Sequence, residues 1–262
     1  MTERPQRLAR GGRVATIATT VAVVAFAFAG ASAASLGGLR SNSLYSSSAA
    51  QRPVIPTTTT TIPPTTTTTP GPVPISCDSF GLTTPTKNDL NGRVVQPPSC
   101  GNFQWKVNAG NWKIAGNEAF ASEPSQATVT GPQVNMTVEV TLSNLNGANR
   151  SGGLIANRSG GGGSGVMLVG VLIGNSSAAI RIKDGGTTTT LVTVPVTAGS
   201  SARLRLTRLG RAVTMRVNGT VVASLTLTAA QAALLSGVDG GIINEQGTAL
   251  RYSNFLLAQP TP

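Results

Sequence analysis

Two runs of five threonines, at 57–61 and 65–69, lie among Pro56, Pro63, Pro64 and Pro70. Proline fixes φ and removes a donor, and threonine has little apolar surface to bury, so such a stretch stays extended and solvated as a semi-rigid spacer. Polyproline-like geometry at roughly 3.1 Å per residue would carry residues 53–74 across about 70 Å. The runs divide the 262 residues into an apolar N-terminus, 1–34, a Thr/Pro-rich linker, 35–76, and a remainder, 77–262, long enough to bury one core. The threonines have the composition of an O-glycosylated stalk and equally that of an unmodified spacer.

Residues 1–13 are basic, and residues 14–34 (VATIATTVAVVAFAFAGASAA) carry no charge. Ala31-Ser32-Ala33 has the small residues a signal peptidase accepts, so one reading is a cleaved signal peptide. The other is a retained single-span anchor, since such an uncharged run is long enough to cross a bilayer with its arginine-rich flank inside. Both readings place the C-terminal domain outside the cell, secreted or at the cell surface. Membrane contact is expected only through residues 14–34, if they are kept.

The net charge of +11 is unevenly spread, because six arginines belong to the N-terminus and linker. Residues 77–262 keep ten Arg and four Lys against eight acids, a balance of +6. No helix-turn-helix pattern, zinc spacing or aromatic RNA-binding signature accompanies that charge, so nucleic acid is not an expected partner. Cys77 and Cys100 are the only cysteines. In an oxidising compartment they are expected to form a disulfide, and no histidine exists to join them in a metal site. The bridge would close a loop of 24 residues. Loop closure of that order contributes about 3 kcal/mol by the chain-entropy model.

From Phe103 onward the dominant period is two. Met136, Val138, Val140 and Leu142 alternate with Thr137, Glu139 and Thr141; Ala202, Leu204 and Leu206 alternate with Arg203, Arg205 and Thr207; Val213, Met215 and Val217 alternate with Thr214 and Arg216. Asn218-Gly219 follows as a hairpin signal, and Val221, Ala223, Leu225 and Leu227 resume the apolar face on the return strand. Residues 165–173 (GVMLVGVLI) are continuously apolar, as in a central strand covered on both sides, and the glycine-rich 159–165 before them predicts a mobile hairpin tip. Only residues 228–235 read as helix, with Thr228 as N-cap. About a dozen short strands at regular spacing predict an all-β sandwich or jelly roll.

The order of motifs carries a resemblance. Asp78-Ser79-Phe80 is followed by Leu90-Asn91-Gly92-Arg93, then Trp105, then Gly110-Asn111-Trp112-Lys113-Ile114-Ala115-Gly116-Asn117. This run resembles the opening strands of concanavalin A-like, laminin G-like jelly rolls of bacterial, actinobacterial-type secreted surface proteins. Gly152-Gly153-Leu154-Ile155, the Val217-Asn218-Gly219 hairpin and a closing Tyr252-Ser253-Asn254-Phe255 are similar too, so the likeness covers about residues 78–257. The 77–100 insert is unusual for the pattern, and the cysteine pair often found near the end of laminin G domains is missing. The resemblance implies a two-sheet antiparallel jelly-roll sandwich with a concave face. Its members serve carbohydrate binding, protein adhesion and glycan hydrolysis, so the fold does not choose among them.

Residue supply narrows the chemistry. The absence of histidine removes Ser-His-Asp and Cys-His catalysis. Glycoside hydrolysis needs two carboxylates flanking the bond, and the E-x-D-x-E strand of laminarinase-type enzymes has no counterpart: Glu118 and Glu123 come nearest. No enzymatic activity is therefore expected. Calcium is common at the rim of the resembled fold, and Asp184, Asp239 and Glu245 are the candidate ligands, with ordinary turn residues as the plainer reading. No other cofactor is expected. Arg203, Arg205 and Arg216, with Arg208 and Arg211 at their turn, form a basic stripe that either attracts polyanions or keeps a solvated face soluble. Trp105 and Trp112 either stack on sugar rings or pack in the core. The reading these features support is an extracellular, non-catalytic binding module whose partner is a glycan or cell-wall polymer. The alternative is a structural or adhesive surface protein that binds protein or itself, and a third reading, a glycan hydrolase or lyase, requires a carboxylate pair in the concave groove.

Overall fold

The computed structural model describes residues 72–81, 89–147, 149–247 and 250–261. All of them lie in the second of two compact units, 64–262. The leader and most of the linker lie outside the described residues.

Among the described residues fifteen short strands form two antiparallel sheets, a jelly-roll-like sandwich. The first sheet runs in the order β13 (Thr220–Thr226), β12 (Ala212–Val217), β11 (Ser201–Leu209), β6 (Met136–Ser143), β15 (Arg251–Gln259), β4 (Glu118–Ala121) and β3 (Trp112–Ala115). The strand β1 (Val73–Asp78) pairs with the later half of β15, so the fold takes in the last residues of the expected linker. The second sheet runs β10 (Thr187–Pro195), β9 (Ser177–Asp184), β8 (Val166–Ile173), β7 (Ser151–Ser159), β14 (Asp239–Asn244), β5 (Ser125–Thr130) and β2 (Lys106–Ala109).

The alternating residues face as their period requires. Val138, Val140, Leu142, Leu204, Leu206, Val213 and Met215 are all buried in the layer between the sheets. Asn218 and Gly219 both have positive φ, 51° and 83°, the geometry of a two-residue primed turn. Val221 departs from its expected place: the register shifts between Met215 and Arg216, and Val221 is left exposed beside the turn. The strand β8 is covered on both faces. Leu168 and Leu172 enter the main core, while Met167, Val169 and Val171 join Ile155, Ala179 and Ile243 in a separate buried cluster on the other side.

The glycine-rich tip after β7 does not hang free, because Arg158 donates to the carbonyls of Gly160, at 2.8 Å, and Gly162. The one α-helix among the described residues, α1 (Ala229–Leu234), starts from Thr228, whose hydroxyl accepts from Gln231 N at 3.1 Å while Gln231 caps Thr228 N in return. Trp112 packs edge-on against Tyr252, whose hydroxyl donates to Ile243 O at 2.7 Å. A Cβ at Gly152 would overlap that hydroxyl, so the Gly152-Gly153 motif makes room for the Tyr252 bond between sheets.

Candidate functional site

The outer face of the first sheet carries the concentrated chemistry. Pairing of β11 with β6 sets Arg205 opposite Glu139 and Arg203 opposite Thr141. Pairing with β12 sets Arg205 opposite Arg216, and pairing of β6 with β15 sets Glu139 opposite Leu256. One row across four strands therefore reads Arg216, Arg205, Glu139, Leu256. Side chains directly opposite interact most strongly, and two like charges there are unfavourable unless an opposite charge is near.

Glu139 is that charge. Its side chain is only 4% exposed and lies between two guanidiniums. Arg205 Nε donates to Oε2 at 2.5 Å, and Arg203 donates to Oε1 through both Nε and a terminal nitrogen. Arg203 is still 59% exposed, so its guanidinium is held by one edge and open to solvent at the other. Charge-assisted hydrogen bonds of this kind fix direction as well as charge. Arg216 donates to Gly219 O at 2.9 Å, and Asn218 Oδ1 accepts from Arg203 N at 2.9 Å, so the hairpin turn holds the far side.

Two cavities open on this face and share Glu139 and Arg203. One, of about 370 Å³, is lined by Glu139, Arg203, Arg205, Arg216, Asn218 and Gly219. The other, of about 450 Å³, continues toward β1 and is lined among others by Thr141, Gln96, Pro97, Asn254 and Leu256. Asn254 has φ of 53° within an irregularity of the β15–β6 pairing and is exposed there. Asparagine is one of the few residues that tolerates this conformation.

The rim is held by the segment that the cysteines enclose. Cys77 and Cys100 form the expected disulfide, and Ser79 N donates to Gln96 O at 2.9 Å. Asp78 anchors the same region from inside: its carboxylate accepts from Trp105 Nε1 at 2.7 Å, from Phe80 N at 2.7 Å and from Arg93 at 3.4 Å. Both partners of the Asp78–Arg93 pair are buried. The D-x-F, L-x-G-R and Trp105 motifs thus meet in one polar knot under the cavity.

The other sequence candidates lie elsewhere. Arg208 is not part of the stripe. It is buried, donating to Gly210 O at 3.0 Å, Ala232 O at 3.1 Å and Leu235 O, where it satisfies carbonyls at the end of α1. Burial lowers the pKa of its guanidinium. The physical reason is parity, since position 208 continues the inward series 202, 204, 206. Arg211 is exposed and donates to Leu227 O at 2.6 Å, away from both cavities.

Trp105 and Trp112 are 1% and 0% exposed and pack in the core, so neither offers a ring face to a sugar. Among the described residues the exposed large apolar side chains are Val73, Val94, Leu209, Val221 and Leu234, none of them aromatic. Asp184 is exposed at a hairpin end, Asp239 lies near Arg158, and Glu245 pairs with Arg181 at 2.6 Å and Lys183 at 3.1 Å. These three are not brought together, and among the described residues no group of three His, Cys, Asp or Glu is placed to hold a metal. The residues that period-two reading passed over are Glu139, as the partner of the stripe, and the rim amides Gln96 and Asn254. Glu139 was open to detection as the single acid on the polar face of its strand.

No protein-family model matches the chain, and no curated protein matches it. Among solved structures it is similar to the carbohydrate-binding module CBM66 from Bacillus subtilis, at 10% identity and a TM-score of 0.48, over 59% of this chain and 95% of that one. It is also similar to a Bacillus subtilis protein of unknown function with a galectin-like fold, at 13% identity and a TM-score of 0.46, over 66% and 96%. A third is the catalytic domain of an endo-1,3-β-glucanase (laminarinase) from Thermotoga petrophila, at 10% identity and a TM-score of 0.47, over 73% and 99%. Likeness at this level leaves the chemistry to the side chains of this chain.

Proposed function

We propose that this protein is an extracellular, non-catalytic glycan-binding module, presented on its Thr/Pro segment, with the paired cavities of the first sheet as its sugar site. The observation that carries the reading is Glu139, a buried carboxylate held between Arg203 and Arg205 at the junction of two cavities. Sugar hydroxyls need donors and acceptors at fixed positions, and a few convergent polar groups around a cavity of this size supply them. Gln96, Asn254 and Thr141 add amides and a hydroxyl, and Pro97 and Leu256 add apolar surface for the C–H faces of a ring.

Two carboxylates, Asp78 and Glu139, belong to residues of one cavity wall, the feature a hydrolase reading would use. Their partners argue against it. Asp78 is buried and engaged by three donor groups, and Glu139 has both oxygens on guanidiniums, so neither is poised to hand a proton to a leaving group.

The test is binding of the full chain to a panel of polysaccharides and bacterial wall fractions, beside Asn254→Gly. Glycine accommodates the positive φ and takes away the side-chain amide, so the expected result is saturable binding weakened about tenfold, the worth of one good hydrogen bond. Absence of saturable binding to every glycan, or release of reducing ends on incubation, would overturn the reading.

A further inference from the structure

Resting on the glycan-binding reading, we infer that the site selects glycans bearing an anionic group, a carboxylate or a phosphate, and that the cleft of Arg203, Arg205 and Arg216 takes that group. Three guanidiniums and one carboxylate line the 370 Å³ cavity, which leaves two positive charges uncompensated, and no other acid among the described residues lines it. Glu139 spends both oxygens on Arg203 and Arg205. Arg216 has a backbone carbonyl for its partner, Gly219 O, and faces Arg205 directly across the strand pair. Glu139 offsets the repulsion on the Arg205 side only, and a bound anion relieves what remains between Arg205 and Arg216.

The arginines are also preorganised. Arg205 is held through Nε, leaving its terminal nitrogens for a ligand, and Arg203 is held on one edge with its guanidinium largely exposed. A guanidinium presents paired N–H groups that match carboxylate and phosphate oxygens. The neighbouring cavity shares Glu139 and Arg203, so a sugar seated among Thr141, Gln96 and Asn254 carries a charged substituent toward the arginines. This joint recognition separates the site from a general basic surface. A bare polyanion meets only half of it.

The experiment measures affinity of the full chain for four polymers of matched length: polygalacturonate, dextran phosphate, neutral dextran and poly-glutamate. Each is run at low and high salt, beside Arg216→Gln and Arg216→Ala. The expected result is at least tenfold tighter binding of polygalacturonate or dextran phosphate than of dextran or poly-glutamate. Both variants narrow the anionic-to-neutral ratio toward one, with thermal melting like the parent's. Preference for polygalacturonate alone names a carboxylate, and preference for dextran phosphate alone a phosphate. Equal affinity for dextran and the acidic glycans overturns the inference while glycan binding stands. Equal affinity for poly-glutamate, lost in salt, overturns it in favour of a bare electrostatic field. Binding to no glycan overturns both readings.

Discussion

Glu245 follows β14 on the second sheet and is nearly as buried as Glu139, yet its surroundings make it a structural group. Burial by itself would raise its carboxyl pKa, but a hydrogen bond from Ser151 and the charges of Lys183 and Arg181 more than offset that and hold it below the ordinary 4.5. A carboxyl whose folded pKa lies below its unfolded one contributes stability that is full above the unfolded value and is lost as pH falls through the folded value. Glu245→Gln is therefore expected to melt below the parent at pH 7, with the gap closing as pH drops below about 4.5. Melting curves of both proteins between pH 7 and pH 3 check this, and a gap independent of pH would show that the ion pairs are not its source. Arg208 teaches a related point about charge. Its inward parity was legible in the alternation 202, 204, 206, 208, but a charged side chain invites an outward assignment. Only the position of the α1 carbonyls explains why an arginine is buried there.

Strands and loops differ in how much of themselves they disclose. The apolar faces of β6, β11 and β12, the two-sided burial of β8, the Asn218-Gly219 turn and the Thr228 cap were all legible, because each follows from local period or turn chemistry. What period cannot supply is register between strands distant in sequence, and the site consists of that. Glu139 meets Arg203 and Arg205 across more than sixty residues, and Asn254 and Gln96 reach the same cavity from two further segments. The segment closed by Cys77 and Cys100 had no periodicity to read; its place became clear only from the bridge and the Ser79–Gln96 bond. It follows that the disulfide positions the rim as well as tying the chain. Replacing both cysteines by serine is expected to cost about 3 kcal/mol in urea unfolding. The same variant is expected to weaken glycan binding several-fold where it remains folded. Lost stability with unchanged affinity would separate the bridge from the site.

The charge of the folded domain and the charge of its cleft act at different distances, and binding kinetics tell them apart. Residues 77–262 carry a balance of +6, a field that would draw any anionic ligand in from solution but is damped over about 8 Å at physiological salt. Arg216 is half-buried at the cleft, whereas Glu139 is buried between its two partners. Rim charges act mainly on association, and a buried hydrogen-bonded charge pair acts mainly on dissociation. For an acidic oligosaccharide, raising salt from 0.05 to 0.5 M is therefore expected to slow association about tenfold and to change dissociation little. Arg216→Gln should imitate the salt effect. Glu139→Gln should instead speed dissociation, because Arg203 and Arg205 lose the carboxylate that orients them, even though the cleft has gained positive charge. Stopped-flow or surface binding kinetics on the three proteins decide the matter. If Glu139→Gln holds the acidic ligand longer than the parent does, Glu139 is a competing anion and not the group that sets the arginines in place.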